Sequence, residues 1–246
     1  MFDMDGLLVD TEPLWFEVES EVMARLGGTW SHADQAELVG GALAASVSYL
    51  LAKAAPAPRR GSARPGQWPP SAATVAGWLV GAMTDRIATR GGPLMPGAAE
   101  LLAGLAAAGL PRALVTSSER SVMDAVLTHL TKAHGQDASC QGGPGAPPSR
   151  LFDVTVCAAD VAHAKPHPEP YQHAARLLGA DPARCVVLED APNGVAAAEA
   201  AGCVVVVVPG VAAPPPREGR IMVSSLREVS AGWLRELVAS RHTSAR

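Results

Sequence analysis

Apolar residues recur along the chain with two different spacings, and the change between them divides the sequence in two. Over residues 14–92 they return every three or four positions, which is the spacing of a single helix face. We predict helices over residues 12–26, 33–53 and 75–87, with Thr11 as the N-cap of the first. This part of the chain is therefore expected to be all-helical.

From residue 93 onward, short apolar runs alternate with segments of helical spacing. The runs predict five strands: Ala113–Val115, Val154–Cys157, Cys185–Leu188, Val204–Val208 and Ile221–Val223. Strands that alternate with helices indicate a parallel α/β sheet. The fold class that we predict is α/β, with a Rossmann-like parallel sheet and an inserted α-helical domain.

The predicted domain organisation follows from this alternation. Residues 1–13 and 93–246 form the α/β core, and residues 14–92 form the inserted helical domain. Two segments interrupt the periodic pattern: 54–70 is rich in proline and arginine, and 134–149 is rich in glycine, proline, serine and glutamine. We expect both to be surface loops or insertions.

The start of the chain places two carboxylates, Asp3 and Asp5, in an apolar setting and follows them with Gly6. In an extended segment, residues i and i+2 point to the same side, so these like charges repel and pay a desolvation cost. A bound divalent cation is the simplest compensation. Met1 and Phe2 alone precede Asp3, so we expect a truncated first strand, short of ladder partners, that holds Asp3 poorly.

Other polar residues follow predicted strands. Thr116 and Ser117 come after one strand, Glu189 and Asp190 after another, and Lys165 lies in a loop before a helix. Open α/β sheets bind ligands beyond the carboxyl ends of their strands. Carboxylates for a metal, hydroxyls and amides for an oxyanion, and a cation are the parts that phosphoryl transfer needs.

Composition narrows the classes of function. With 48% hydrophobic residues, the 246-residue chain can bury a substantial core. The net charge is −4, from 20 basic and 24 acidic residues, and without a long basic run a nucleic-acid partner has no support. The four cysteines form no CxxC pair, and the sequence has neither signal-peptide features nor a membrane-spanning run. We expect a cytoplasmic monomer without a membrane or nucleic-acid partner.

Four short motifs, in this order, resemble those of the haloacid dehalogenase (HAD) superfamily: Asp3-Met4-Asp5-Gly6, Thr116, Lys165-Pro166 and Glu189-Asp190. The resemblance covers nearly the whole chain. It includes the helical insertion, which looks like the small helical cap of that family. The branch most similar to this sequence is that of the β-phosphoglucomutase-like phosphatases.

The resemblance implies a Mg²⁺-dependent phosphatase acting on a small phosphorylated metabolite. Asp3 would be the nucleophile that forms an aspartyl-phosphate, and Asp5 would act first as general acid and then as general base. Asp190 would bind Mg²⁺ together with Asp3 and the backbone carbonyl of Asp5. Glu189 would be either a further metal ligand or an orienting group.

The phosphate-binding roles are also implied by the resemblance. Thr116 would hydrogen-bond a phosphoryl oxygen with the help of the Ser117 amide, although Thr116 could also be a simple helix cap. Lys165 would neutralise charge on the nucleophile and the phosphate, and so serve both catalysis and phosphate binding.

Three alternatives remain. Asp5 and Asp190 count against a dehalogenase, which attacks carbon without a metal. A phosphosugar mutase of the β-phosphoglucomutase type would carry a histidine where this chain has Trp15, and an indole cannot transfer the proton, so hydrolysis is favoured. A truncated, catalytically impaired binding protein is the third. Sugar, polyol and nucleotide phosphates all stay open as substrates.

Overall fold

The computed structural model describes residues 1–54, 68–134, 151–212 and 214–244. Within these ranges the chain forms nine α-helices and five short strands. The helices are α1 (Glu12–Arg25), α2 (His32–Ala36), α3 (Leu43–Lys53), α4 (Ala72–Arg90), α5 (Ala98–Ala107), α6 (Arg120–His134), α7 (Glu169–Leu177), α8 (Pro192–Ala200) and α9 (Ala231–Ser244). The strands are β1 (Ala113–Val115), β2 (Val154–Val156), β3 (Val186–Glu189), β4 (Val204–Val207) and β5 (Ile221–Met222).

All strand pairs are parallel. β1 pairs with β2, with Ala113 opposite Val154, and β4 pairs with β3 on one side and β5 on the other. A helix lies between successive strands from β1 to β4, as parallel pairing requires, whereas the described residues between β4 and β5 form no helix. The predicted strands are therefore found within one residue of their expected bounds.

The first residues of the chain lie between β1 and β3 and join the two groups of strands. Phe2 forms a parallel bridge to each neighbour, its N–H donating to the carbonyl oxygen of Ala113 at 2.8 Å. The Asp3 N–H donates to the carbonyl oxygen of Leu188 at 3.1 Å. The expectation that Asp3 is poorly held is wrong, because the backbone on both sides pairs with this short segment.

Side chains alternate between the two faces of the sheet, and each face is covered. Phe2, Leu114 and Leu188 belong to one buried cluster, whereas Val115 and Val187 belong to a second. Burial on both faces explains why the strand sequences are continuous apolar runs. Because both faces are covered by apolar residues, the polar residues lie at the carboxyl ends of the strands.

The helices α1 to α4 pack on one another and form what we call the helical layer; α4 also runs along α6. The helix predicted over residues 33–53 is wrong in one respect: it is divided into α2 and α3. Gly40 interrupts it with a φ of +69°, a left-handed conformation that an α-helix cannot contain. The assignment of residues 14–92 to a separate domain stays a prediction.

Most of the two predicted insertions, 54–70 and 134–149, lies outside the described residues, as does Cys140. Cys157, Cys185 and Cys203 are buried and free. Among the described helices, none has both the length and the apolar character needed to cross a membrane.

Candidate active site

A cavity lies between the carboxyl ends of the strands and the helical layer. It is lined by six of the predicted site residues: Asp3, Asp5, Thr116, Ser117, Lys165 and Glu189. Asp190, the seventh, is buried beside them and shares a group of potential ligand atoms with Asp3 and Glu189. The structure therefore brings together every residue that the sequence predicted for the site.

The Lys165 ammonium is the centre of the charge network. It donates to Asp3 Oδ1 at 2.5 Å, to Glu189 Oε1 at 2.7 Å and to the carbonyl oxygen of Val115 at 2.9 Å. These acceptors use all three of its N–H groups. Burial opposes the charge, but Asp3 and Glu189 raise the pKa of Lys165 above its usual value. Lys165 is therefore a fixed cation beside Asp3.

Asp3 is nearly buried and sits among like charges. Burial raises the pKa of this carboxyl well above its usual range, Lys165 opposes that shift, and Glu189 and Asp5 add to it. The ammonium of Lys165 thus opposes the protonation of Asp3 that burial and the neighbouring carboxylates favour.

Glu189 has each carboxylate oxygen occupied by two donors. Oε1 accepts from Lys165 and from the Tyr171 hydroxyl at 2.5 Å, and Oε2 accepts from the backbone N–H groups of Asp190 at 3.1 Å and Ala191 at 3.4 Å. A Cβ on Gly194 would lie 1.7 Å from Oε1, so α8 can approach this carboxylate only with glycine there. Glu189 is consequently held rigidly against Lys165.

Asp190 differs sharply from Glu189. Both of its carboxylate oxygens are buried, and neither has a hydrogen-bond partner among the described residues. Burial raises the pKa of Asp190 well above its usual range, and Asp3 is the largest of the charges that add to this. Burying a carboxylate without partners costs free energy, so a ligand that contacts Asp190 would stabilise this site.

The donor set fits a magnesium ion. Oxygens of Asp3, Glu189 and Asp190 all lie within 4.8 Å of one another, and carboxylate oxygens are the hard ligands that Mg²⁺ prefers. Gly6 has a φ of +80°, and a Cβ there would lie 2.5 Å from Asp190 Oδ2. Glycine is required at that position both for the turn and for the space beside Asp190.

The Asp5 carboxylate points away from this group and accepts four hydrogen bonds. Thr11 Oγ1 at 2.7 Å and Trp15 Nε1 at 3.1 Å donate to its Oδ1. Ser118 Oγ at 2.7 Å and Thr116 Oγ1 at 3.3 Å donate to its Oδ2. One oxygen is therefore held from the helical layer and the other from the loop after β1.

Thr11 occupies the N-cap position of α1, as predicted, and its carbonyl oxygen accepts the Trp15 N–H at 3.0 Å, but its side chain makes no capping hydrogen bond. Its hydroxyl instead donates to Asp5.

Thr116 and Ser117 present hydroxyl groups to the cavity. Thr116 Oγ1 accepts the Ser118 N–H at 2.9 Å, so it also organises the turn before α6. Ser117 Oγ is buried and has no hydrogen-bond partner among the described residues. Such a hydroxyl beside Lys165 is suited to bind an anionic oxygen.

The helical layer adds residues that the sequence reasoning missed. Glu12 lines the cavity from the first turn of α1, and Gln35 Nε2 donates to its carboxylate at 3.1 Å and to its carbonyl oxygen at 2.7 Å. Burial, with smaller effects of Asp5 and Asp10, raises the pKa of Glu12 to about 7. Its signal in the sequence is its place two residues after Asp10, at the start of a predicted helix.

Ser118 and Tyr171 were also missed. Ser118 stands two residues beyond Thr116, and Tyr171 lies in the helix that follows the Lys165 loop. Neither belongs to the motifs, and only their contacts to Asp5 and Glu189 show that they support the site.

Comparison with known proteins identifies the family. The family model of haloacid dehalogenase-like hydrolases matches residues 1–202. The chain belongs to this family. Hexitol phosphatase B from Escherichia coli (strain K12) is 32% identical over 235 residues, which cover 94% of this chain and 93% of the relative. The predicted family and fold class are confirmed.

Solved structures that are similar to this chain agree with the family assignment. CbbY from Rhodobacter sphaeroides in complex with phosphate is 28% identical with a TM-score of 0.70, over 92% of this chain and 93% of that one. A CbbY mutant in complex with xylulose-(1,5)bisphosphate gives a TM-score of 0.71 at 28% identity, with the same coverage. β-Phosphoglucomutase from Clostridium difficile, at 20% identity and a TM-score of 0.70 over 98% of this chain and 97% of that one, shows the shared fold. The chain is thus a hydrolase, and its phosphatase relatives support the prediction of a phosphoric monoester hydrolase.

Proposed function

We propose that this hydrolase is a Mg²⁺-dependent phosphatase that cleaves a small phosphorylated metabolite through an aspartyl-phosphate on Asp3. The observation that carries the proposal is the contact between Lys165 and Asp3, at the floor of a cavity and beside the unpartnered oxygens of Asp190. A nucleophile, a fixed cation and a candidate metal ligand are the parts that transfer of a phosphoryl group requires.

The side chains support a two-step reaction. In the first step Asp3 Oδ attacks phosphorus, the P–O bond to the leaving group breaks, and Asp5 gives its proton to the departing alkoxide. In the second step Asp5 takes a proton from water, the water oxygen attacks phosphorus, and the bond to Asp3 breaks to release phosphate. Thr116 and Ser117 hold the phosphoryl oxygens throughout, and the charge of the Lys165 ammonium stabilises them.

The metal would be held by Asp3 and Asp190, with the backbone carbonyl of Asp5. When bound, Mg²⁺ neutralises charge on the transferring group. We assign Glu189 an orienting role rather than a direct ligand role, because both of its oxygens already accept two hydrogen bonds each.

Hydrolysis of p-nitrophenyl phosphate with Mg²⁺ and with EDTA tests the proposal. We expect turnover that requires Mg²⁺, and a melting temperature that Mg²⁺ raises. Asp190→Asn should lose both effects. Equal turnover in EDTA after metal removal, or no turnover of this ester and of a panel of sugar, polyol and nucleotide phosphates, would contradict the proposal.

A mutase is the second candidate, because solved β-phosphoglucomutases share the fold. Trp15 argues against it: the indole only donates to Asp5 and has no proton to exchange at neutral pH. We expect β-glucose 1-phosphate to be hydrolysed at least as fast as it is converted to the 6-phosphate. Faster conversion would establish the mutase instead, and phosphate binding without any turnover would favour an impaired binding protein.

A further inference from the structure

We propose that the cavity selects phosphate monoesters whose far end is uncharged, such as polyols, and discriminates against a carboxylate or a second phosphate at that end. This inference rests on the proposed function. It extends that proposal by stating which charge the leaving group can carry.

The two walls of the cavity would contact different parts of a bound ester. The core wall carries Asp3 and Lys165, and a phosphoryl group must contact this wall for Asp3 to attack it. The rest of the ester then extends toward the helical layer. The helical wall therefore decides which leaving groups fit.

The helical wall is apolar or neutral except for one carboxylate. Its lining residues include Trp15, Gln35, Leu38, Val39 and Ser46, together with Glu12. Glu119, at the start of α6, contributes a second carboxylate to the cavity. Hydroxyl groups of a polyol can donate to Glu12 and exchange hydrogen bonds with Gln35 and Ser46, while its C–H groups pack on Trp15.

Among the described residues of the cavity, an anionic far end finds no counter-charge. Of the described residues that line the cavity, Lys165 is the sole cation, and its three N–H groups are already used in the core wall. Lys53 is at the other end of α3 from the cavity-lining Leu43, about 15 Å away along the axis, and is paired with Asp34. A carboxylate in this space would lose its hydration and face the carboxyl groups of Glu12 and Glu119, neither of which can supply an opposing charge.

The fold itself does not impose this selection. The CbbY mutant crystallised with xylulose-(1,5)bisphosphate has the same architecture, with a TM-score of 0.71. A bisphosphate can therefore be accommodated on this scaffold. In the present chain the discrimination comes from the side chains that line the cavity, because they disfavour a ligand with an anionic far end.

A matched pair of substrates tests the inference. Glucitol 6-phosphate and 6-phosphogluconate have the same carbon chain and differ at the far end, which is a CH₂OH group in one and a carboxylate in the other. We expect kcat/KM for the polyol to exceed that for the acid by about tenfold or more, as expected for like charges a few ångströms apart in a partly buried site. An equal or smaller value for the polyol overturns the inference.

Variants locate the source of the selection. Glu12→Gln should reduce the ratio several-fold, and Glu119→Gln gives an independent second measurement. Glu21→Gln is the matched control, since it removes one charge from the same helix at an exposed position paired with Arg86, and it should leave the ratio unchanged. If all three variants shift the ratio equally, the effect is one of net charge and the assignment to the cavity is wrong.

The result can be read even without turnover of either compound. Calorimetric Kd values for both ligands with the Mg²⁺-loaded protein should show the same preference, and equal affinities would overturn the inference. Failure of the proposed function has a different signature, which is the absence of p-nitrophenyl phosphate hydrolysis.

Discussion

Two buried carboxyl groups, Asp3 at the strand ends and Glu19 in the helical layer, are compensated in different ways. Asp3 is 8% exposed and is paired with the Lys165 ammonium. Glu19, on α1, is 5% exposed, but the partner that the structure gives it is the neutral Trp30 indole, whose Nε1 donates at 3.2 Å. Burial, and then the charge of Glu12, raises the pKa of Glu19 to about 8.

The difference shows how location decides the state of a carboxyl group. In the helical layer a buried carboxyl without a cation takes up a proton, since that removes the cost of burying charge. At the strand ends the Lys165 ammonium lies against Asp3 and opposes the rise in pKa that burial causes, so this buried carboxyl group has an opposing charge that Glu19 lacks. The exposed neighbours Glu17 and Glu21 instead pair with arginines at the surface.

Replacing Asp3, the proposed nucleophile, tests the catalytic side of this comparison and should have the largest effect. We expect Asp3→Asn to reduce turnover by about a thousandfold or more, because an amide cannot form the acyl phosphate. The fold should persist, since Lys165 keeps Glu189 and the Val115 carbonyl as acceptors. Turnover and the circular dichroism melting curve are the measurements. Substantial residual activity would rule out Asp3 as the nucleophile.

Removing the cation breaks the compensation at the strand ends. Lys165→Met leaves Asp3 and Glu189 buried without their counter-charge, and we expect a loss of about 3–5 kcal/mol in the free energy of unfolding, together with loss of activity. Urea denaturation measures the first quantity. Lys132→Met, at an exposed site on α6, is the control and should cost little. A destabilisation no larger than that of the control would mean that the carboxylates do not need Lys165.

Glu19, the buried carboxyl group that has no cationic partner in the comparison above, should make the free energy of unfolding depend on pH. The folded pKa of Glu19, about 8, lies above its ordinary value of 4.5, so its contribution is fully present below about pH 4.5 and is lost as the pH rises through 8. Relative to Glu19→Gln, the unmodified protein should lose on the order of a few kcal/mol over this range. Urea unfolding from pH 5 to 8.5 measures it. Parallel curves for the two proteins would show that Glu19 is ionised when folded.

Removal of the Tyr171 hydroxyl should have the smallest effect of these substitutions. Tyr171→Phe removes the donor to Glu189 but keeps the ring that lies 4.9 Å from Lys165 Nζ. We expect a loss of about 1 kcal/mol in stability and a several-fold lower kcat with little change in KM. Tyr49→Phe is the matched control, because its hydroxyl donates to Asp34 in the helical layer. If both variants lower kcat equally, Tyr171 has no specific role in positioning the site.

The local pattern of the sequence was sufficient for the strands and most helices. Each strand is a short apolar run that is buried on both faces, and such runs are visible without knowledge of the fold. The division between α2 and α3 could not be read with the same ease, because Leu38, Val39 and Leu43 continue the apolar spacing across Gly40. The pair Gly40-Gly41 is the one signal of the break in the sequence, and the φ of +69° at Gly40 confirms it.

The candidate site was predictable where its residues follow strands. Asp3, Thr116 and Asp190 occupy such places, and parallel strands bring their carboxyl ends to one edge. The supporting residues could not be predicted, because their partners are distant in sequence. The hydroxyl of Tyr171 meets Glu189, and Ser118 meets Asp5 across 113 residues, and no periodicity encodes those contacts.

The three hydrogen bonds of Lys165 have a consequence for the order of folding. They span 162, 50 and 24 residues of the chain, and contacts between distant residues form late, because long loops must close first. A partly synthesised or partly folded chain therefore holds Asp3 without the cation that pairs with it. The charge network around Asp3 is assembled only in the completed fold.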